Sequence, residues 1–381
     1  MREGGALQSD QDIELFQKKV ADIIDLRINP ALKKMMEFIK GKYLGAAREV
    51  MGLGHYPGGK EYYEFLVKYY TSLPFSPEKV HWIGLREIEN LKKELDEIRI
   101  QLKFYGDVES FIGFLKTDPQ FFLKSREEMG NRMTVFLEEV KKQLPLYFSK
   151  IPKAPCLLKP LDPLLEKSMT YGYYQNPTGA DPIGYYYYNA SDYEKKNRLF
   201  NASAALILHE LLPGHHFQVM SVMENTNLSS DLREFYIPAY SEGWAEYASW
   251  VGREMGIYKD PYEECGRILQ DLFVTVRLVV DTGLNYYLWT PEKARDFMRK
   301  YLILSDGEIL SEISRYSSDI PGQALSYKIG LLKILELREN VEKKLGSEFD
   351  IRQFHDEFLG RGELPLSVLF ETFPLLKDKK K

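Results

Sequence analysis

The sequence predicts a mainly α-helical fold with one small β element, on three observations. Apolar residues recur at helical spacing from Asp10 to Leu144 and again from Leu199 to Leu345. Between these stretches, residues 145–200 are punctuated by Pro145, Pro152, Pro155, Pro160, Pro163, Pro177 and Pro182 and carry the run Tyr185-Tyr186-Tyr187-Tyr188, the signature of loop with a short strand. A chain of 381 residues, 44% hydrophobic and 28% charged, has the composition of a globular protein with a sizeable core, not of a disordered or fibrous one.

In chain order, Phe16, Val20, Ile23 and Ile24, then Met35, Met36 and Ile39, lead two or three helices expected before Tyr70. The turn-rich segment Gly52-Leu53-Gly54-His55-Tyr56-Pro57-Gly58-Gly59 interrupts them. Ser76-Pro77-Glu78 then supplies an N-cap, a first-turn proline and an acidic residue, so a long helix is expected from Pro77 to Tyr105. Pro119 and the stretch after Asp118 open a helical pair reaching Leu144. Turn signals near Asn225, Asp260, Thr290 and Pro321 divide the helices from Leu199 onward, and Gly346 ends the last of them. The expected organisation is an N-terminal helical region, 1–150, and a second helical region with the short strand, 151–381, forming one continuous body with a cleft.

Lys plus Arg is 51 and Asp plus Glu is 56, a balance of −5 that provides no basic field for a phosphate backbone, so nucleic acid is excluded as an expected partner. The C-terminal Lys377-Asp378-Lys379-Lys380-Lys381 reads as a solvated end. No run approaches the roughly 18–20 apolar residues that span a bilayer, and the polar start Met1 to Asp12 shows no signal peptide. The two cysteines, Cys156 and Cys265, are far apart and in no ligand spacing, so no disulfide is expected. A cytoplasmic location follows as the expectation. Asn-X-Ser triplets at Asn189, Asn201 and Asn227 carry no weight without secretion.

Chemistry concentrates in one place. Of six histidines, His209, His215 and His216 fall within eight positions, in His209-Glu210-Leu211-Leu212-Pro213-Gly214-His215-His216-Phe217-Gln218. The segment begins like the zinc-protease motif HExxH, in which one helical turn puts both histidines on one face with the glutamate beside them. Here Pro213 stands four residues after His209. An unbroken helix would turn His215 by about 600° from His209 and carry His216 about 10.5 Å along the axis, so neither could share an ion with His209. Pro213 and Gly214 break the helix, which makes the segment an HExxH with two residues inserted at a kink. The alternative is an ordinary helix stop, with His215 and His216 decorating the next segment. Downstream, Ser241-Glu242-Gly243-Trp244-Ala245-Glu246-Tyr247 reads as a second helix with two carboxylates at i, i+4, flanked by aromatic residues. Two histidines plus a glutamate from a following helix form a catalytic zinc set with one open position; a solvated acidic face is the plainer reading of the pair.

Together, HExxPGHHxQ at His209 to Gln218 and YxEGWAxY at Tyr240 to Tyr247 resemble the domain-of-unknown-function family 885, grouped with zincin-type metallopeptidases. Pro321-Gly322-Gln323-Ala324-Leu325-Ser326-Tyr327-Lys328-Ile329-Gly330, followed by Lys333 and Glu336-Leu337-Arg338, extends the resemblance, as do Tyr62-Tyr63, Tyr69-Tyr70-Thr71 and the helix start at Ser76, so that it covers about residues 50 to 340. The resemblance implies a zincin-like helical metallopeptidase fold, with the β element beside the metal-binding helix. EGWAEY is also similar to the NEGFAxY glutamate helix of aminopeptidase N-like gluzincins, which selects Glu242 over Glu246 as third ligand. Matching Gly214-His215 to the Gly-His of HExxGH-type helical peptidases selects His215 as second ligand, with His216 beside it as a supporting or alternative one. Family members are commonly longer at the N-terminus, which implies a more open cleft here, and they usually carry His where this chain has Asn285, a residue that can donate a hydrogen bond but carries no proton or charge.

The leading expectation is therefore a zinc-dependent hydrolase of peptide or small amide substrates, with one zinc held by His209, His215 and Glu242, and Glu210 as base. Tyr327, or else Tyr316, is expected to face the developing oxyanion. Arg315, Lys328 and Asn285 are substrate-binding candidates, the two cations for a carboxylate; helix packing and surface charge are the plainer roles for all of these. Asp281 is read either as the partner of a ligand histidine or as an ion pair with Arg277 four residues earlier. The tyrosine run suits an edge strand to which an extended peptide could add, or simply core packing. Two rivals stand beside the hydrolase: a lyase or oxygen-using metalloenzyme with the same two-His, one-carboxylate set, and a non-catalytic peptide-binding protein on the same scaffold.

Overall fold

The structure is a computed structural model and describes residues 9–47, 50–166 and 172–377. Residues 1–8 and 378–381, on which the readings of the polar start and the basic tail largely rest, lie outside the described residues. The chain divides into two compact units, Met1–Val50 and Met51–Lys381.

In the first unit, α1 (Asp10–Ile23), α2 (Asn29–Phe38) and α3 (Leu44–Ala46) are joined by π-helical turns at Ile24–Ile28 and Ile39–Tyr43. The Ser9 hydroxyl caps α1 by accepting from the Asp12 amide. The helical spacing of Phe16, Val20, Met35 and Ile39 is real, yet every described side chain of this unit is exposed.

The second unit starts with the turn expected around Gly52. Gly52 has φ 96°, and a Cβ there would lie 2.3 Å from the Leu284 carbonyl oxygen, so only glycine fits. Next come α4 (Gly59–Thr71) and α5 (Pro77–Gln101). The Ser76 hydroxyl accepts from the Lys79 amide, as the sequence foretold. The long helix stops at Gln101 rather than Tyr105, with Lys103 at φ 55°. After α6 (Val108–Thr117), Pro119–Phe121 makes only one 3-10 turn, and α7 (Arg126–Tyr147) follows as a single helix in place of the expected pair. Buried Met129, Met133, Leu137, Val140 and Leu144 give α7 its inner face. That face shares one apolar core with Tyr186, Leu208 and Trp244, so no boundary falls near residue 150.

The β element comprises β1 (Cys156–Pro160), then, after the short α8 (Pro163–Glu166), β2 (Tyr173–Gln175) and β3 (Gly184–Tyr188). The strand order is β1-β3-β2: β3 runs parallel to β1 and antiparallel to β2. The tyrosine run is thus the central strand, hydrogen-bonded on both sides, and the expectation of an edge strand open to peptide addition is corrected. Tyr185, Tyr186 and Tyr188 are buried, the core-packing role.

The rest is helical: α9 (Arg198–Asn201), α10 (Ala204–Glu210), α11 (His215–Met223), α12 (Ser230–Glu234), α13 (Pro238–Val251), α14 (Pro261–Asn285), α15 (Pro291–Tyr301), α16 (Asp306–Ser314), α17 (Ser326–Leu345), α18 (Ile351–Leu359) and α19 (Leu366–Thr372). α14 is buried along nearly its whole length and packs against α5, while α13 packs along α17. The second pair is unusually close. A Cβ on Gly243 would lie 2.5 Å from the Gly330 Cα, so two glycines let the helices approach this closely at their crossing. Cys156 and Cys265 are both free and buried.

Asp281, in α14, meets neither expectation. Its carboxylate accepts from Tyr63 Oη at 2.6 Å, from the Gly322 amide and from Asn285 Nδ2, while Arg277 pairs with Glu312. Burial pushes this carboxyl up to about 7, against the lowering effect of those donors. With a folded pKa above the unfolded value near ~3.9, the folded state binds the extra proton, so stability falls as pH rises from about 4 to about 7. Asp281→Asn should therefore match wild type at pH 4.5 and exceed it by a few kcal/mol at pH 7.5, measured by urea unfolding of metal-free protein; equal stability at both pH values would refute this.

Candidate metal centre

The break at Pro213-Gly214 is where the sequence placed it. α10, capped by the Ser203 hydroxyl, ends at Glu210, and α11 begins at His215. The intervening turn folds hard back on α10: a Cβ on Gly214 would lie 1.9 Å from the His209 carbonyl oxygen. Trp244 Nε1 donates to the Pro213 carbonyl at 2.8 Å and ties the turn to α13. Gln218, last residue of the motif, donates to Glu363, which also accepts from the Ile237 amide just before α13. Within α13, Tyr240, Trp244 and Tyr247 face the core, where the Tyr240 hydroxyl reaches the Phe358 carbonyl and the Tyr247 hydroxyl meets His355. One helical turn apart on another face, Glu242 and Glu246 meet the histidines.

His209 Nε2 lies 3.8 Å and His215 Nε2 3.3 Å from Glu242 Oε2. One ligand atom from each of the three residues falls within 4.8 Å of the others, the one such group of His, Cys, Asp and Glu among the described residues. Tetrahedral ligands held at about 2.0–2.1 Å from a zinc ion stand about 3.3 Å apart, the spacing His215 Nε2 and Glu242 Oε2 already have, while the His209 ring would have to draw closer. Glu242 Oε2 is buried, and among the described residues no donor is aligned on it. A bare anionic oxygen in such surroundings is costly unless a cation faces it, and the donor set therefore fits zinc.

Glu246 is the residue the sequence undervalued. Its Oε1 lies 3.0 Å from His209 Nδ1, which holds a proton on Nδ1 and leaves Nε2 as the ring atom that faces Glu242. Burial opposes charge on His209, but Glu246, with Glu210 and Glu242, lifts its pKa to about 9. The field that holds a proton there would also hold a metal cation. Glu246→Gln should weaken zinc affinity by about 10–100-fold, read by competition with a chromogenic chelator; unchanged affinity would show that Glu246 does not orient the ligand.

Beside this centre lies a cavity of about 240 Å³, whose walls include His209, Glu210, Phe273, Arg315 and Tyr327. Burial pushes the Glu210 carboxyl above its usual range. The Tyr327 ring stacks on His209, with centroids 6.2 Å apart and planes 10° from parallel, and burial, reinforced by Glu242, raises its hydroxyl to about 12.

Four candidates lie elsewhere, and these are corrections. Both ring nitrogens of His216 are taken, Nδ1 by the Tyr174 hydroxyl at 2.7 Å and Nε2 by the Ala154 carbonyl at 2.9 Å, so it is a buried strut and not a ligand. Tyr316 is fully buried between Glu312 and Arg277. Lys328 is locked at 2.6 Å to Asp271. Asn285 accepts from the Leu53 amide and donates to the Asp281 and Tyr316 carbonyls, a structural knot with no donor left for substrate. Tyr236, which no sequence pattern marked, brings its hydroxyl 3.5 Å from Glu242 Oε1.

The family described as "Bacterial protein of unknown function (DUF885)" matches residues 3–372. The chain belongs to this family. No curated protein matches it. Among solved structures, the DUF885 chain is similar to a protein described as "putative lipoprotein from Colwellia psychrerythraea", at 32% identity and TM-score 0.89, covering 96% of this chain and 63% of that one. It also shares its fold with a "putative lipoprotein of unknown function from Shewanella oneidensis", at 20% identity and TM-score 0.71, covering 97% of this chain and 68% of that one. The chain thus spans less than two thirds of the Colwellia protein. No helix of the described residues is long and apolar enough to cross a membrane.

Proposed function

We propose that this DUF885 chain is a zinc-dependent hydrolase of peptide or small amide bonds, with His209, His215 and Glu242 holding one zinc and Glu210 as base. The observation that carries the reading is the convergence of two histidine Nε2 atoms on the buried Glu242 Oε2, which has no hydrogen-bond partner among the described residues, next to a cavity lined by another carboxylate, Glu210. Zinc, when bound, would acidify a water molecule and polarise a substrate carbonyl.

The chain's own groups supply the rest. Glu210, one residue past His209, takes the proton of the attacking water and returns it to the departing amine; burial favours its protonated form and so eases the first transfer. Tyr327 remains protonated at neutral pH and donates its hydroxyl hydrogen to the carbonyl oxygen as that atom gains charge. Glu246 holds His209 in the tautomer that ligates. Arg315 takes a substrate carboxylate; its Nε is buried with no partner among the described residues, while Nη2 is held by Gln323 at 2.8 Å. The names given to the Colwellia and Shewanella proteins support an exported, lipid-anchored form over the cytoplasmic expectation.

The test is hydrolysis of a mixed peptide library, abolished by a chelator and restored by stoichiometric zinc. On a substrate so found, Tyr327→Phe should lower kcat by about 10²–10³-fold with zinc content unchanged. A library left uncut by zinc-loaded protein would remove the hydrolase reading.

A further inference from the structure

Gln323, in the 3-10 turn Gln323–Leu325 just before α17, touches both of the groups assigned to the substrate. Its Oε1 accepts from Arg315 Nη2 at 2.8 Å, and its Nε2 donates to the Tyr327 hydroxyl at 3.5 Å. The guanidinium dictates this order. Arginine offers only donors, so the amide must turn its oxygen to Arg315 and its NH2 to Tyr327. The tyrosine oxygen is then an acceptor from Gln323, and its own hydrogen is left for another oxygen in the cavity. As that hydrogen is drawn away the phenol oxygen accepts more strongly, so the contact with Gln323 tightens when charge develops on the carbonyl. The turn itself is pinned, because the Gly322 amide, at φ 84°, donates to the buried Asp281 carboxylate.

Arg315, in the π-helical turn Arg315–Asp319, keeps a buried Nε with no partner among the described residues. Asp281, the carboxylate whose field it shares, is already held by Tyr63, Gly322 and Asn285, and the neighbouring guanidinium of Arg277 is matched by Glu312. The two Gln323 bonds, with about 2.2 Å across the amide, keep Arg315 Nη2 within about 8.5 Å of Tyr327 Oη. Successive carbonyl carbons of an extended peptide lie about 3.5 Å apart, and each needs a hydrogen bond of about 2.8–3.0 Å to its donor. One residue between the two donors satisfies that span; a second, adding about 3.5 Å more, overshoots it. A volume of about 240 Å³ and the apolar wall of Leu206, Phe273 and Val274 likewise suit one apolar residue.

We propose that Gln323 is a positioning residue that holds Arg315 and Tyr327 one amino acid apart, so that the site removes single, preferably apolar, residues from the free C-terminus of a peptide. This rests on the hydrolase reading above and deepens it by fixing which bond is cut. The carboxylate of the last residue sits on Arg315 while the preceding carbonyl faces Tyr327. Water gives its hydroxyl to that carbonyl carbon and, through Glu210, its proton to the departing amine; the C–N bond breaks, leaving a free amino acid and a peptide one residue shorter.

The test has a binding arm and a cleavage arm. Zinc-free protein is titrated calorimetrically with acetyl-Ala-Phe as the free acid and as the amide, and the acid should bind about tenfold tighter. Gln323→Glu should erase that ratio, because the introduced carboxylate takes Arg315, while affinity for the amide and zinc uptake stay as in wild type. With zinc-loaded protein, acetyl-Ala-Ala-Phe should release phenylalanine first, and its amide should be cut about 100-fold more slowly. Gln323→Met, which keeps the shape and loses both bonds, should lower kcat about tenfold; in a Tyr327→Phe background it should change kcat by less than about twofold, a coupling that a merely structural residue would not show. Amide or internal bonds cut as fast as the terminal one, an acid preference that survives Gln323→Glu, or additive effects of Gln323→Met and Tyr327→Phe would overturn the proposal. A Gln323-dependent acid preference in a protein that cuts no peptide would overturn the hydrolase reading alone.

Discussion

Glu210→Gln is expected to retain one zinc per chain and to lose about 10²–10⁴-fold in kcat, with KM within a few-fold of wild type. The separation follows from position. Glu210 lies next to His209 and lines the cavity, but it is not among the three residues whose candidate ligand atoms converge. An amide of the same shape keeps the packing and loses only the ability to take and return a proton. If Glu210→Gln kept more than about a tenth of wild-type kcat, the base would have to be sought elsewhere.

Glu242→Ala is expected to abolish the stabilisation that zinc confers. A metal that binds only the folded state at 100 times its dissociation constant adds about 2.7 kcal/mol, which thermal unfolding reads as a rise of several degrees. The variant should show no such rise. Its metal-free form should be somewhat less stable than metal-free wild type at neutral pH, because His215 and His209 hold the Glu242 carboxyl below its usual range against the opposing effect of burial. A zinc-induced rise that persists in Glu242→Ala would mean that the three residues do not form the site.

Much of this was readable from the chain because the metal motif depends on local stereochemistry. Pro213 and Gly214 cannot continue a helix, so the break between His209 and His215 follows from residue types alone. Glu242 and Glu246 share a helical face by spacing, though the spacing does not say which one ligates and which orients a histidine. What stayed hidden was direction. His216 adjoins His215 in sequence, yet its ring points to Ala154 and Tyr174. Tyr316, Lys328 and Asn285 belong to segments rich in polar residues, but their partners, Glu312, Asp271 and the Leu53 amide, come from parts of the chain that no local pattern links to them. The tyrosine run looked like an edge because strand order depends on which segments pair, and β1 and β2 flank it only once the sheet is formed.

The central claim is that His209, His215 and Glu242 hold a metal ion, and elemental analysis of the purified protein beside Glu242→Ala tests it most directly. About one zinc per chain in wild type, falling to near zero in a folded Glu242→Ala, is the expected result. A well-folded wild type that carries no metal and takes up none from stoichiometric zinc would contradict it.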